Sequence, residues 1–218
     1  VSLSSQATAK RGRFAVALAG GSTPEPAYAL LAEPPLADQV DWSRVEVFWG
    51  DERCVPPDHP DSNYRMARQA FLDDVPIAEG NVHRIRGELP PEEAAAAYRL
   101  ELQEALGADG RFDLILLGMG SDGHTASLFP GTDAVDERTR SVIAVYVAAL
   151  DAWRITLTLP VIKAARHVIF MVSGKAKAEA LAQIRAGEPL PAGLVEPTCG
   201  DLTWLVDQEA AARLPGTV

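Results

Sequence analysis

Cysteine is scarce in this 218-residue chain, which contains only Cys54 and Cys199. Two cysteines cannot build the disulfide framework of a small secreted protein, so we expect a cytoplasmic location. The chain also has no run of 18 apolar residues, which argues against a membrane-spanning helix. Its polar opening, VSLSSQATAKRGR, lacks the apolar stretch of a signal peptide.

Basic residues are in the minority, with 20 Lys and Arg against 30 Asp and Glu and a net charge of −10. No basic patch is visible in the sequence, so we expect no nucleic-acid partner. An acidic protein can still bind an anionic ligand, but it must then gather positive side chains and backbone N–H groups at one place. Loops with that combination are therefore the candidate binding sites.

Two common catalytic signatures are also missing. His, Cys and carboxylate residues nowhere show the spacing of metal ligands, so we expect no metal. No serine lies in a GxSxG turn, which argues against the usual serine-hydrolase nucleophile. Catalysis, if present, must then use other side chains.

Short apolar runs alternate with helical segments along the chain. We predict strands at Phe14–Ala19, Val45–Trp49, Asp113–Leu117, Val142–Val147, Ile155–Leu159, Val168–Val172 and Thr203–Val206. We predict helices at Pro24–Ala32, Asn63–Leu72, Glu92–Leu106, Lys175–Ala186 and Gln208–Arg213. This alternation predicts an α/β fold, one domain over residues 1–218, with a parallel sheet covered by helices on both faces. Ligands of such sheets bind beyond the carboxyl ends of the strands.

The loop Gly20–Pro24 follows the first predicted strand. Ser22 or Thr23 can cap the next helix, and Pro24 suits its first turn. The alternative is a phosphate cradle made of backbone N–H groups at Gly21 and the two hydroxyls. The sequence leaves both interpretations open.

The loop Gly50–Arg53 places three consecutive charged residues after the strand VEVFW. It is either a solvated loop or part of a binding site. In the second case Arg53 would bind an anion, and Asp51 and Glu52 would bind hydroxyl groups or Arg53 itself.

The loop Gly118–Thr125 reads GMGSDGHT and follows the strand DLILL. GMGSDG matches the dinucleotide fingerprint GxGxxG, but Asp122 would put a negative charge in the pyrophosphate loop, and the next strand does not end in the acidic residue that a ribose needs. We therefore expect no dinucleotide cofactor. A histidine near an aspartate in a glycine-rich loop is instead a candidate general base. In this loop the histidine is His124 and the aspartate is Asp122. A structural loop histidine is the alternative.

The loop Ser173–Lys177 places Lys175 and Lys177 at the start of a predicted helix. Two lysines there oppose the helix macrodipole, and a bound anion would reverse that penalty. Exposed surface lysines are the alternative. Arg154, in the segment WRITLTLP, adds another positive group near the strand ends.

Four long stretches of the sequence resemble the 6-phosphogluconolactonase family, and they follow its order. They are ALAGGSTPEPAYALL, VEVFWGDERCVPPDHPDSNYRMARQAFL, FDLILLGMGSDGHTASLFPGT and WRITLTLPVIKAARHVIFMVSGKAKAEAL. The GDER…SNY and GMGxDGHTASLFP segments are highly specific to that family. The usual N-terminal strand and much of the first helix are not recognisable, so we expect a trimmed start, and the tail from Gly187 is less diagnostic.

The resemblance implies a modified Rossmann-like fold, as in glucosamine-6-phosphate deaminase and ribose-5-phosphate isomerase. It implies hydrolysis of 6-phospho-D-glucono-1,5-lactone without metal or cofactor, with His124 as the base. The phosphate would bind at Gly21, Ser22, Thr23 and Lys177, with Lys175 ranked lower. Arg53 matches the DER arginine and Arg154 the RxTxT arginine. A monomer is the default expectation.

Two alternatives remain besides a dinucleotide enzyme. A sugar-phosphate isomerase or deaminase of the same superfamily would need a further carboxylate after the histidine, and TASLFPGT offers none before Asp133. A non-catalytic phosphosugar sensor would keep the phosphate loops but would not need His124.

Overall fold

This computed structural model describes residues 1–215 of the chain. They include eight β-strands and six α-helices. The strands are β1 (Phe14–Leu18), β2 (Val45–Trp49), β3 (Asp51–Arg53), β4 (Leu114–Leu117), β5 (Val142–Val147), β6 (Ala152–Leu157), β7 (His167–Val172) and β8 (Asp201–Val206). The helices are α1 (Ser2–Arg11), α2 (Glu25–Ala32), α3 (Asn63–Ala67), α4 (Pro91–Leu106), α5 (Leu159–Ala164) and α6 (Ala178–Arg185).

The main sheet has the order β2-β1-β4-β7-β8, and every neighbouring pair in it is parallel. Strand β1 is buried at all five positions, as expected for a strand covered on both faces. From β1 the chain moves to one side to form β2, then crosses to the other side for β4, β7 and β8. This reversal between β1 and β4 opens a crevice at their carboxyl ends, where ligands of open α/β sheets bind.

A second sheet of three antiparallel strands, ordered β3-β6-β5, stands beside the first. The parallel sheet predicted from the sequence is thus present, but this additional antiparallel sheet was not predicted, although the bounds of β5 were predicted correctly. Only residues 148–151 join β5 to β6, and so short a connection permits a hairpin but not a parallel crossover. Strand β3 was predicted as loop, and it pairs with β6 directly after the end of β2.

Several elements differ from the sequence prediction. Helices α1 and α5 were not predicted; Lys10 and Arg11 in the last turn of α1, and the left-handed Gly12 after it, were available signals. Residues Gln208–Arg213 form hydrogen-bonded turns rather than a helix. Helix α6 begins at Ala178, because Lys175–Lys177 form a separate 3₁₀ turn.

One continuous hydrophobic core joins the two sheets, and two buried tyrosines fix the strand ends that border the crevice. The hydroxyl of Tyr28, in α2, accepts a hydrogen bond from the Ala19 N–H and donates one to the Ala19 carbonyl. The Tyr98 hydroxyl of α4 does the same at Trp49. Burial raises the pKa of both phenols, so they remain neutral bridges between helix and strand end.

Within residues 1–215, no helix has the length and apolar character needed to cross a bilayer.

Candidate active site

A cleft of about 320 Å³ lies at the carboxyl ends of β1, β2, β4 and β7. It is the place that the strand reversal between β1 and β4 predicts. Seven of the residues predicted from the sequence line it: Gly21, Ser22, Thr23, Asp51, Arg53, His124 and Lys177. These residues come from three loops and from β3, so the fold brings together groups that are up to 156 positions apart in the chain.

His124 and Asp122 form a hydrogen-bonded pair at the end of β4. His124 Nδ1 lies 2.6 Å from Asp122 Oδ1, which also accepts the His124 backbone N–H at 3.1 Å. The imidazole stacks on Phe129 with ring centroids 4.0 Å apart, and its side chain is 30% exposed. Nε2 has no hydrogen-bond partner within residues 1–215, so one ring nitrogen is fixed by the protein and the other is available at the cleft.

Asp122 remains ionised in this pair. Burial alone would raise its pKa, but the hydrogen bonds from His124 and the charge of His124 outweigh burial and lower the pKa. An ionised Asp122 holds the proton of a neutral His124 on Nδ1, which leaves a lone pair on Nε2. Asp122 itself does not line the cleft, so it acts on the ligand through His124.

Gly120 allows this pair to form. A Cβ atom at that position would lie 2.1 Å from His124 Nδ1 and 2.5 Å from Asp122 Oδ1. Any side chain would therefore displace one of the two groups. The glycine-rich character of GMGSDGH thus serves close packing around His124 rather than the approach of a dinucleotide.

The loop after β1 presents Ser22 and Thr23 to the cleft. Helix α2 begins at Glu25 with Pro24 before it, and neither hydroxyl caps the helix. Both hydroxyls are without a hydrogen-bond partner within the described residues, so they are free to bind a ligand. The helix-cap interpretation of these two side chains is wrong, and the phosphate-cradle interpretation remains.

Lys177 and Lys175 differ in position. Lys177 is half-buried and lines the same cleft as Ser22 and Thr23, whereas Lys175 is exposed and outside it. Neither lysine forms an ion pair with a carboxylate in residues 1–215. Lys177 therefore offers an uncompensated positive charge to a bound anion, and Lys175 remains a surface lysine.

Asp51 contributes a buried carboxylate to the cleft wall, only 9% exposed. Its Oδ2 accepts the Ser127 hydroxyl at 2.6 Å, and its Oδ1 lies 3.3 Å from the Asn63 amide. Ser127 follows His124 by three residues, so this contact ties Asp51 to the histidine loop. The carboxylate is thus held in one orientation at the cleft.

Glu52 does not reach the cleft, which corrects its assignment as a substrate-binding residue. It is 2% exposed, and its oxygens accept the N–H groups of Asn63 at 2.7 Å and Tyr64 at 2.8 Å, together with the Ser62 hydroxyl. Burial raises its pKa, and these hydrogen bonds oppose the rise. A carboxylate at the first N–H groups of α3 anchors that helix to β3.

Arg53 and Arg154 face each other across β3 and β6. Arg53 lines the cleft, while Arg154 lines a neighbouring pocket of about 600 Å³ to which Arg53 also belongs. Burial and the charge of Arg53 lower the pKa of Arg154. The structure therefore places Arg154 beside the cleft rather than in it, and Arg53 is the guanidinium that borders both spaces.

Three further cleft residues, Asn63, Ala126 and Ser173, were not predicted as site residues. Asn63 is 2% exposed and donates to the Asp51 carbonyl at 2.8 Å. Ala126 has a left-handed backbone, with φ of 47°, which is unusual for a residue with a side chain. Each lies in a stretch that the sequence analysis singled out, namely the SNY segment, the TASLFP segment and the Ser173–Lys177 loop, but none was named there as a site residue. No group of three or more His, Cys, Asp or Glu side chains in residues 1–215 is arranged to hold a metal ion.

Residues 1–204 match the family model of glucosamine-6-phosphate isomerases/6-phosphogluconolactonase. The chain belongs to this family. Among curated relatives, a 6-phosphogluconolactonase of Synechocystis sp. is 46% identical over 96% of this chain and 88% of its own length. A 6-phosphogluconolactonase of Nostoc sp. is 46% identical over 94% of this chain and 86% of its own.

Solved structures of the family agree with this assignment. A 6-phosphogluconolactonase from Trypanosoma cruzi superposes with a TM-score of 0.86 at 35% identity, covering 98% of this chain and 89% of its own. A monomeric glucosamine-6-phosphate deaminase superposes with a TM-score of 0.78 at 24% identity, over 97% and 95% of the two chains, which is a likeness of fold alone. The resemblance and the α/β fold predicted from the sequence are thus confirmed.

Proposed function

We propose that this protein hydrolyses 6-phospho-D-glucono-1,5-lactone to 6-phospho-D-gluconate. One observation carries the proposal: a single cleft combines an unpaired lysine and two free hydroxyls with a histidine that has one ring nitrogen fixed by an aspartate and the other free. The first group suits a phosphate, and the second suits removal of a proton from water. The names of the family relatives support the same activity.

The phosphate is bound between the loops after β1 and β7. Ser22 and Thr23 donate hydroxyl hydrogen bonds, backbone N–H groups before α2 add others, and Lys177 supplies the positive charge. This arrangement explains how a chain of net charge −10 binds an anionic sugar. Binding energy gained at the phosphate, away from the reacting carbon, holds the lactone in place for the reaction.

The reaction begins when His124 Nε2 takes a proton from a water molecule as its oxygen attacks the lactone carbonyl carbon. Asp122 stabilises the imidazolium that forms. The tetrahedral intermediate then collapses, the bond from C1 to the ring oxygen breaks, and the protonated His124 returns its proton to that oxygen. The product is the open-chain acid, and His124 is restored.

Arg53 and Asp51 act on the rest of the sugar. Negative charge develops on the carbonyl oxygen during attack, and the Arg53 guanidinium, which β3 brings to the cleft, stabilises this charge. Asp51 accepts a hydrogen bond from a sugar hydroxyl, since its carboxylate is held by Ser127 and Asn63. The two groups orient the ring relative to His124.

Two other functions are less consistent with the cleft. An isomerase or deaminase would need a carboxylate after the histidine, but Asp133 lies in a 3₁₀ turn outside the cleft. A phosphosugar sensor would have no use for the hydrogen-bonded Asp122–His124 pair.

One chain supplies every group in the scheme and both cysteines are free thiols, so a monomer acting in the cytoplasm completes the proposal.

The experiment is lactone hydrolysis by purified, chelator-treated protein. The lactone is generated in place from glucose 6-phosphate by its dehydrogenase, and its disappearance is compared with the spontaneous rate. We expect clear acceleration, unaffected by the chelator. Hydrolysis at the spontaneous rate, by folded protein that still binds 6-phosphogluconate in calorimetry, would contradict the proposal and favour a sensor.

A further inference from the structure

The turn that carries Lys177 is held by a residue from outside it, Asp207, which directly follows β8. Asp207 Oδ2 accepts the Ser173 hydroxyl at 2.6 Å and the Gly174 N–H at 3.0 Å, and Oδ1 lies 3.2 Å from the same N–H. Oδ1 also accepts the Ala210 N–H at 2.8 Å. Two side-chain oxygens thus connect the end of β8 to the first two residues after β7.

The turn has a backbone conformation that its glycine makes possible. Gly174 has φ of +94° and ψ of 150°, a conformation that is favourable only for glycine. Its carbonyl accepts the Lys177 N–H at 3.0 Å, which closes the 3₁₀ turn. A continuous path of hydrogen bonds therefore runs from Asp207 through Gly174 to the backbone of Lys177.

A carboxylate close to an anion site is unfavourable unless its charge is compensated. Hydrogen bonds from Ser173, Ala210 and Gly174 compensate it here and lower the pKa of Asp207, so it stays ionised. None of the contacts in this group is to Lys177, so the lysine keeps its charge for the ligand. The Ser173 hydroxyl, although it lines the cleft, is engaged with Asp207.

We propose that Asp207 is a positioning residue for phosphate binding: it fixes the Ser173–Gly174 turn and thereby holds Lys177 at the phosphate end of the cleft. This inference rests on the proposed function, since it assigns the phosphate to Lys177. Asp207 lies in the C-terminal part of the chain, 30 residues beyond Lys177 and outside the stretches that carry the family resemblance.

The simpler role for Asp207 is to hold only the turn that follows β8, through the Ala210 N–H. That role predicts reduced stability with no selective effect on phosphate. The two roles are separated by KM, kcat and the dissociation constant for inorganic phosphate, measured on Asp207→Ala and on the milder Asp207→Asn. Asparagine keeps one oxygen acceptor but cannot accept at both positions.

Glu137→Ala is the matched control. Glu137 also accepts backbone N–H groups, from Thr139 and Arg140, and the Thr139 hydroxyl, and none of these residues lines the cleft. We expect Asp207→Ala to raise KM and the phosphate dissociation constant about tenfold with kcat within about twofold of wild type, because hydrogen bonds to charged groups commonly have effects of that size. Asp207→Asn has a smaller effect in the same direction, and Glu137→Ala has none.

Unchanged KM and phosphate binding in Asp207→Ala would overturn the inference, as would a loss of kcat at constant KM. If Asp207→Ala does not fold, Asp207→Asn decides alone, and wild-type phosphate affinity in it overturns the inference. Failure of the proposed function is distinguishable, because wild-type protein would then not accelerate lactone hydrolysis, whereas phosphate binding by calorimetry still compares the variants.

Discussion

His124 and His83 have similar surroundings and different exposure. Each ring stacks on a phenylalanine, Phe129 at 4.0 Å and Phe48 at 4.4 Å. Asp122 occupies only Nδ1 of His124, whereas Glu101 at 3.1 Å and Glu46 at 2.7 Å occupy both nitrogens of His83. The His124 side chain is 30% exposed and that of His83 is 13% exposed.

This difference separates a histidine that can exchange protons with a ligand from one that links two elements of the fold. His83 bridges β2, through Glu46, to α4, through Glu101. Burial lowers its pKa, but the hydrogen bonds and charges of Glu101 and Glu46 outweigh burial, so the net shift is upward. A carboxylate beside a histidine is therefore insufficient to propose a catalytic base, and the proposal for His124 rests on the free second nitrogen at the cleft.

The largest effect is expected from removal of the base. His124→Gln should lower kcat by about 10²–10⁴, the usual contribution of general-base catalysis, with much less effect on product binding. The same substitution at His83 should leave kcat near the wild-type value. Steady-state lactone hydrolysis and calorimetry with 6-phosphogluconate measure both quantities, and wild-type turnover by His124→Gln would exclude it as the base.

A smaller effect is expected at the carboxylate behind each histidine. Asp122→Asn should lower kcat by about 10–10², because an amide no longer fixes the tautomer of His124 or stabilises the imidazolium. Glu101→Gln, the matched change beside His83, should leave kcat unaffected. Equal kcat in the two variants would show that the Asp122–His124 contact has no role in turnover.

The phosphate end should affect binding rather than turnover. Lys177→Ala should raise KM about tenfold with kcat largely retained, because it removes a charge that contacts the substrate away from the reacting carbon. Lys175→Ala, two positions away and outside the cleft, is the control and should match the wild type. An unchanged KM in Lys177→Ala would remove this lysine from the phosphate site.

The smallest effect should appear in stability. Because the folded pKa of His83 is raised, its contribution is fully present below the ordinary value of 6.5 and is lost as pH rises through the folded pKa. His83→Gln should therefore lower the free energy of unfolding by about 1 kcal/mol near pH 6 and by less at pH 8.5. Urea unfolding at the two pH values measures this difference, and a loss that is larger at pH 8.5 would contradict the assignment.

The sequence predicted the groups that are close together in the chain. His124 and Asp122 lie two positions apart in a glycine-rich loop, and strand periodicity located β2 and β5 with correct bounds. It could not show that Glu52, unlike its neighbours Asp51 and Arg53, is turned away from the cleft and anchors α3. Nor could it connect Asp207 with Ser173, because that contact arises only from tertiary packing. The short connection between β5 and β6 was an available signal for their antiparallel pairing that the sequence analysis did not use.

The most direct test of the comparison is the pH dependence of kcat/KM for wild type, His83→Gln and His124→Gln in the lactone assay, each corrected for spontaneous hydrolysis. A base must be unprotonated to accept a proton from water, so the wild-type rate should fall on the acid side. We predict that this fall persists in His83→Gln and disappears from the small residual rate of His124→Gln. The same acid fall in His124→Gln would contradict the account, because another group would then be the base.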